Sequence, residues 1–421
     1  MQKRDIKMVD YMPWWSPKSR KFADEVEAFV DSELIPIAMK LQEEGGDPWS
    51  IQWQASKLCI EKGFHPLMVL TEEKYGGTDQ GYTGYTILNE EVGRCMLNIN
   101  PLLTSVFGAG PILLYGTDAQ KEEFLVPLVK GEKWASITVT EPDVGNDAAG
   151  VQMNAEKDGD EWVLNGWKRF ITLAALSDYL MCYAVTDPSM KGIHRHLTAF
   201  VVERRSPGIT VEKINKLEGD VEMANSVIRF HDVRVPAKNM ILEPGDGWTV
   251  MTSALNIERM GIAGVIGQGR CLLETARAYA KRRVQFTEPV SRFEAVQLRM
   301  AEIKIRIETA RAMIYYLADL LDKGEADMFE FGAKSSAAKI YCTTALGEIA
   351  TQAAAICAGD GYTNEFSIYT TIKNALLMQI AGGSNDILRI FIGRNEFIKD
   401  VDERYLPRVL KGVTKEEIQD L

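Results

Sequence analysis

The chain has 421 residues, 46% of them hydrophobic and 25% charged, with a formal net charge of −11 at pH 7. That length exceeds what one core usually organises, so two or three domains are expected. The acidic balance without clustered Lys and Arg argues against a nucleic-acid footprint. Six cysteines (Cys59, Cys95, Cys182, Cys271, Cys342 and Cys357) lie scattered without CxxC spacing. This argues against a zinc site or a disulfide framework and fits a reducing cytoplasm, and no metal is expected. The first fifteen residues carry charges but no continuous apolar run, and no run of eighteen apolar residues follows, so neither secretion nor a membrane span is indicated.

In chain order, Ser16-Pro17 reads as an N-cap and first helical residue, with Phe22, Val26, Phe29 and Val30 on one face of the helix that follows. Further helical segments run through ASKLCIEKGF and YTILNEEVGRCM, broken by the glycine-bearing loop at 72–81. Residues 1–133 therefore read as a helical domain, in which Glu90-Glu91 is expected to be a solvated helix face. From Trp134 the period changes to two, and YLMCYAVTD, LTAFVVERR and ANSVIRFHDVRVP read as strands of a small β domain, 134–243. His194, His196 and His231 fall there, without a metal-like cluster, and are expected at the surface or in loops. From 244 to 421 the pattern returns to long helices. Met300, Ile303, Ile307, Ala310, Ile314, Leu317 and Leu321 form a stripe fit for a bundle core or a subunit seam. An Ala-rich helix over about 331–358 is expected to end with Gly359 as its C′ residue.

The stretch with chemistry in it is ITVTEPDVGND, 137–147. Alternating Ile137, Thr138, Val139 and Thr140 read as a strand that stops at Glu141-Pro142, and Gly145 then relaxes the backbone, so a strand end can offer N–H groups to a ligand. No GxGxxG follows a strand, so a Rossmann nucleotide site is not supported.

This stretch resembles the flavin-contacting signature of the acyl-CoA dehydrogenase family. LNGWKRFIT (164–172), FHDVRVPAKNMI (230–241), DGYTNEF (360–366) and GGSNDILRIFIGR (382–394) resemble further signatures of that family in its own order. The resemblance implies an N-terminal all-α domain, a central small β domain and a C-terminal α-helical bundle, in a homotetramer holding FAD between sheet and bundle. It implies that Val139, Thr140, Phe170 and Thr172 contact the flavin, that Arg283 and Phe286 reach the FAD of a neighbouring subunit, and that Ser384 and Asp386 contact the cofactor. Asn146, Asn256 and Arg259 match substrate-binding positions, Asn146 standing for the usual Ser and Asn256 for the usual Asp. Ala355, Glu294 and Thr287 depart from the family pattern on the adenosine side.

The largest departure concerns the base. The common pattern has Glu immediately before Gly-Thr in the last signature, whereas Gly382 stands in that slot, preceded by Ala381. Glu258-Arg259 instead resembles the isovaleryl-CoA and long-chain branches, where the glutamate comes from another helix. Glu258 is then the expected base for the α-proton of an acyl-CoA thioester, the Gly382 N–H an oxyanion donor, and flavin N5 the acceptor of the β-hydride. The product is a 2-enoyl-CoA, with an electron-transfer flavoprotein or a similar carrier taking the electrons. The volume missing at Ala381 and Gly382 points to a branched, cyclic or aryl-substituted acyl group. Other readings stay open: a same-fold enzyme with a 1,4-elimination or desulfination using an acid such as Glu91, and a non-catalytic FAD or CoA-thioester binding protein.

Overall fold

The computed structural model describes residues 11–44, 47–96, 100–218 and 224–399. The ends of the expected first and last domains, 1–10 and 400–421, lie outside them. Ser16 caps α1 (Pro17–Phe29), its Oγ accepting from the Ser19 N–H at 3.1 Å, while Pro17 takes a first-turn position where its missing N–H costs nothing. Phe22, Val26, Phe29 and Val30 are all buried. The helix passes through a π turn, Val30–Leu34, into α2 (Ile35–Glu44). There follow α3 (Pro48–Glu61), α4 (Pro66–Leu70), α5 (Gly81–Gly93), α6 (Asn100–Tyr115), α7 (Asp118–Gln120) and α8 (Val126–Val129).

The strands β1 (Ala135–Thr138), β2 (Asn154–Asp158), β3 (Glu161–Ile171), β4 (Tyr179–Val185), β5 (Leu197–Glu203), β6 (Ile209–Asn215), β7 (Asn225–Pro236) and β8 (Met240–Ile241) form one eight-stranded sheet. Its order is β6-β7-β3-β2-β4-β5-β8, with β1 running parallel to β4. The period of two in β4 sorts its side chains between two cores. Tyr179, Met181 and Tyr183 join the core shared with the helices, and Leu180, Cys182 and Ala184 pack inside the sheet domain with Leu164, Phe200 and Phe230.

The remaining helices are α9 (Gly247–Met260), α10 (Ala263–Arg282), α11 (Glu294–Asp322), α12 (Met328–Cys357), α13 (Ile368–Ile380) and α14 (Asn385–Ile398). A hairpin of β9 (Val284–Gln285) and β10 (Glu288–Pro289) interrupts them. α5 lies so close to α10 that a Cβ on Gly93 would stand 2.1 Å from the Gly264 carbonyl oxygen, and one on Gly267 1.9 Å from that of Glu90. Only glycine permits that approach.

Two expectations, the Glu90-Glu91 face and the end of α12, are corrected here. Glu90-Glu91 is not a solvated face: both residues are buried at 1% and 2% exposure. Glu90 accepts from Arg270 Nη1 at 2.6 Å, Arg311 Nε at 3.0 Å and the Tyr315 hydroxyl at 2.7 Å. Glu91 pairs with Arg270 and, at 2.6 Å, with Arg94 Nε, and Arg94 reaches Asp31 at 2.8 Å. Burial pushes the Glu90 carboxyl up, but Arg311 and Arg270 outweigh it and hold the group below its ordinary range. Of the two alternatives for the α11 stripe the bundle core holds: Ile303, Ile307, Ala310, Ile314 and Leu317 are buried in the chain's own core. α12 ends at Cys357, and the left-handed residue after it is Ala358 (φ +53°), not Gly359 (φ −58°). His196 lies in the loop before β5, as expected, but is buried, its Nε2 2.9 Å from the Ala149 carbonyl oxygen.

Candidate active site

β1 stops at Thr138, and the chain then turns through Val139, Thr140 and Glu141. Glu141 is buried and pins this turn: its carboxylate accepts the N–H groups of Gln152 (2.7 Å) and Met153 (3.0 Å) and pairs with Lys168 Nζ at 2.9 Å. Lys168 also donates to the carbonyls of Val139 (3.2 Å) and Tyr183 (2.9 Å). Every donor of this fully buried ammonium therefore has an acceptor, although burial still holds its pKa down. The Arg169 N–H donates to the Thr140 carbonyl (2.8 Å), and Ser136 Oγ to the Thr172 carbonyl (2.8 Å), so Val139, Thr140, Phe170 and Thr172 come together at one edge of the sheet. Phe170 has φ +59°, a backbone that costs about 1–2 kcal/mol in a non-glycine residue, and is 48% exposed, with the Arg169 guanidinium over its ring at 4.5 Å from the centroid. Among the described residues the hydroxyls of Thr140 and Thr172 form no hydrogen bond.

Glu258 stands in the last turn of α9, and Gly382 in the turn between α13 and α14. A Cβ on Gly382 would lie 3.1 Å from Glu258 Oε1, so the carboxylate fills the space that a side chain at 382 would take. Gly382 and Gly383 have φ +65° and +87°, and the Gly382 N–H has no acceptor among the described residues. Burial raises the Glu258 carboxyl to about 7, against the opposing pull of Arg259 and Lys339. Arg259 donates from Nη1 to Asn256 Oδ1 at 2.8 Å, and its buried Nε has no partner. The hydroxyls of Tyr85 on α5 and Tyr183 on β4 are buried without a hydrogen bond, and both feel the Glu258 charge. Asn89, beside Tyr85, spends its amide on the Tyr85 carbonyl at 2.7 Å. Sequence reading missed Tyr85, Tyr183 and Lys339, because a tyrosine or lysine inside an apolar run looks like core or surface until its polar atom is placed. Glu91, the alternative acid, is held by two arginines.

The remaining expected residues lie apart within this chain. Arg283 is exposed at the end of α10, without a hydrogen bond or ion pair from its side chain among the described residues. Phe286 sits at the tip of the β9–β10 hairpin at 89% exposure, and it and Thr287 hold φ +49° and +70°. Ser384 caps α14, accepting from the Ile387 N–H at 3.3 Å, and Asp386 is exposed, paired with Arg389 at 2.7 Å. Asn146 is exposed in the loop after β1.

The chain thus joins a helical unit, a central sheet and a second helical unit that carries Glu258, and sequence comparison gives its family. Residues 16–132, 136–233 and 245–397 match the profiles "Acyl-CoA dehydrogenase, N-terminal domain", "middle domain" and "C-terminal domain". The chain belongs to the acyl-CoA dehydrogenase family, FAD-dependent oxidoreductases. It is 31% identical over 374 residues to an acyl-CoA dehydrogenase of Bacillus subtilis, covering 88% of this chain and 95% of that one. It is 30% identical over 383 residues to "Caffeyl-CoA reductase-Etf complex subunit CarC" of Acetobacterium woodii, covering 90% of this chain and 98% of that one. Among solved structures it resembles butyryl-CoA dehydrogenase from Megasphaera elsdenii with a TM-score of 0.82 at 30% identity, over 93% of this chain and all of the other. The exposed Phe170 beside the free hydroxyls of Thr140 and Thr172 fits the ring system of FAD, and Arg283 suits a phosphate group.

Proposed function

We propose that the chain oxidises an acyl-CoA thioester to a 2-enoyl-CoA with Glu258 as the base. The observation that carries this is the Glu258 carboxylate lying against Gly382, whose N–H is free. Glu258 takes the proton from Cα, and the Gly382 N–H donates to the thioester oxygen as negative charge develops there. FAD, when bound, supplies the acceptor for the hydride leaving Cβ, and the C=C bond forms as the two hydrogens go. Val139, Thr140, Phe170 and Thr172 hold the ring system, Ser384 and Asp386 contact the cofactor, and Asn146, Asn256 and Arg259 hold the CoA arm. The electrons pass to an electron-transfer flavoprotein or a similar carrier, as the name of the Acetobacterium relative suggests. We take the folding units as 1–133, 134–243 and 244–421.

A homotetramer accounts for the exposure of Arg283 and Phe286, and for exposed apolar side chains on α11, α13 and α14 such as Leu298, Ile380 and Phe397. The acyl group is proposed to be branched, cyclic or aryl-substituted, with one change of reasoning. Glu258 fills the space beside Gly382, which leaves the small side chain of Ala381 as the support for this reading. The relative named a caffeyl-CoA reductase favours a second reading in which the same residues work in reverse and protonated Glu258 delivers its proton to Cα; a carboxyl near 7 serves either direction. The test is anaerobic bleaching of the bound flavin by matched linear, branched and aryl-substituted acyl-CoAs, alongside reoxidation of the reduced enzyme by the corresponding enoyl-CoAs. Bleaching by none of them overturns the proposal, and a linear series turned over as well as the others removes the acyl-group assignment.

A further inference from the structure

α12 carries one lysine into the interior between Glu258 and the Gly-Gly turn. Lys339 is 4% exposed. Its Nζ donates to the Gly383 carbonyl at 2.9 Å and to Asn385 Oδ1 at 2.9 Å. Asn385 opens α14, and its Nδ2 donates to Thr343 Oγ1 at 3.1 Å, one turn along α12 from Lys339. The turn that this contact grips is otherwise loosely specified, because two successive glycines in the left-handed region leave the backbone many alternatives. A buried ammonium with two fixed acceptors is a strong tether.

We propose that Lys339 is a positioning residue for the reaction: it clamps the Gly383 carbonyl and the start of α14, and so aims the Gly382 N–H at the thioester oxygen beside Glu258. The inference rests on the assignment of Glu258 and Gly382 made above. Lys339 acts through backbone and never touches the reacting carbons. Its charge also bears on Glu258. The charged and titratable groups facing that carboxylate are Arg259 on its own helix, Lys339 from α12, Tyr85 from α5 and Tyr183 from β4. Of these, the two cations stabilise the ionised base. Lys339 has its own pKa lowered to about 8, by burial first and then by Arg259, as expected of a cation held for a purpose other than solvation.

The experiment uses FAD-loaded full-length enzyme and whichever of butyryl-CoA, isovaleryl-CoA and 3-phenylpropionyl-CoA bleaches the wild-type flavin, with ferrocenium as acceptor. Glu258→Gln, Lys339→Met, Lys339→Gln and Lys339→Arg are compared for flavin content, kcat, KM and the pH profile of kcat/KM. Lys339→Met should lower kcat about 10- to 100-fold with little change in KM. Its acid limb should move up by about one unit, since an opposite charge near Glu258 is lost. Lys339→Arg should restore both. If Lys339→Met does not fold, Lys339→Gln decides, because it keeps a donor for the turn but removes the charge, and should show the same upward shift. Lys339→Met or Lys339→Gln with wild-type kcat and an unmoved acid limb, beside an inactive Glu258→Gln, overturns the role of Lys339 alone. An active Glu258→Gln overturns the base assignment, and the role of Lys339 with it.

Discussion

Gly382→Ala is the substitution whose effect the structure sets most tightly. Two costs combine. The residue has φ +65°, where an L side chain costs about 1–2 kcal/mol, partly offset by about 0.4–1 kcal/mol because alanine narrows the unfolded ensemble. The new Cβ would stand 3.1 Å from Glu258 Oε1, so the carboxylate must yield by a few tenths of an ångström. A 1 Å misplacement of a reacting group costs roughly 10²-fold, so a shift of this size should cost about 10-fold in the bleaching rate. Global stability should fall by up to about 1.6 kcal/mol. Urea unfolding followed by fluorescence measures the first quantity and stopped-flow bleaching at 450 nm the second. The signature is an activity loss larger than the stability loss explains, with FAD content unchanged. In the Glu258→Gln background, Gly382→Glu should recover part of the turnover, because a carboxylate attached there enters the same space. Gly382→Ala bleaching at the wild-type rate would refute the reasoning that Glu258 abuts this backbone at work.

Further outcomes can be stated from the same geometry. The kcat/KM should rise with pH through about 7, because Glu258 must lose a proton that burial holds on it, and the limb should be absent in Glu258→Gln. The sign for stability is opposite: a carboxyl raised in the folded state is disfavoured once ionised, so its contribution falls as pH rises from the ordinary carboxylate range to about 7. Glu90→Gln should destabilise by roughly 3–5 kcal/mol, since Arg270 and Arg311 both lose a buried carboxylate, Arg270 keeping Glu91. Glu90 is depressed in the folded state, so its contribution is present above the ordinary carboxylate range and lost as pH falls through its folded value; acid unfolding of Glu90→Gln should be correspondingly less steep. Arg283→Ala should release FAD faster on dilution without altering the bleaching rate of enzyme still loaded, and light scattering should give a tetramer for the wild type.

Local chemistry was the legible part of the sequence. The Ser16-Pro17 cap and the alternation in β4 are near-neighbour effects and appear where the residues place them, whereas the strand expected to run to Thr140 ends two residues earlier, at Thr138. The adjacency of Glu258 and Gly382 came from two departures read together across more than a hundred residues, and the structure sets them side by side. What failed was burial decided by distant partners. Glu90 and Glu91 look like a wet helix face because, apart from the local Arg94, the arginines that neutralise them come from 179 to 221 positions away. Lys339 hides for the same reason in the small-residue run of α12, since its acceptors lie 44 and 46 residues on. The left-handed Ala358 was invisible because Gly359 is the better local candidate, and the packing that follows α12 overrides that preference.

The central claim is that Glu258 is the base, and Glu258→Gln tests it most directly. The substitution keeps size and polarity while removing the ionisable oxygen pair. FAD content and folding should match the wild type, while the anaerobic bleaching rate with a reactive acyl-CoA should fall roughly 10²- to 10⁴-fold, the usual share of a general base. A Glu258→Gln enzyme that bleaches at the wild-type rate contradicts the account.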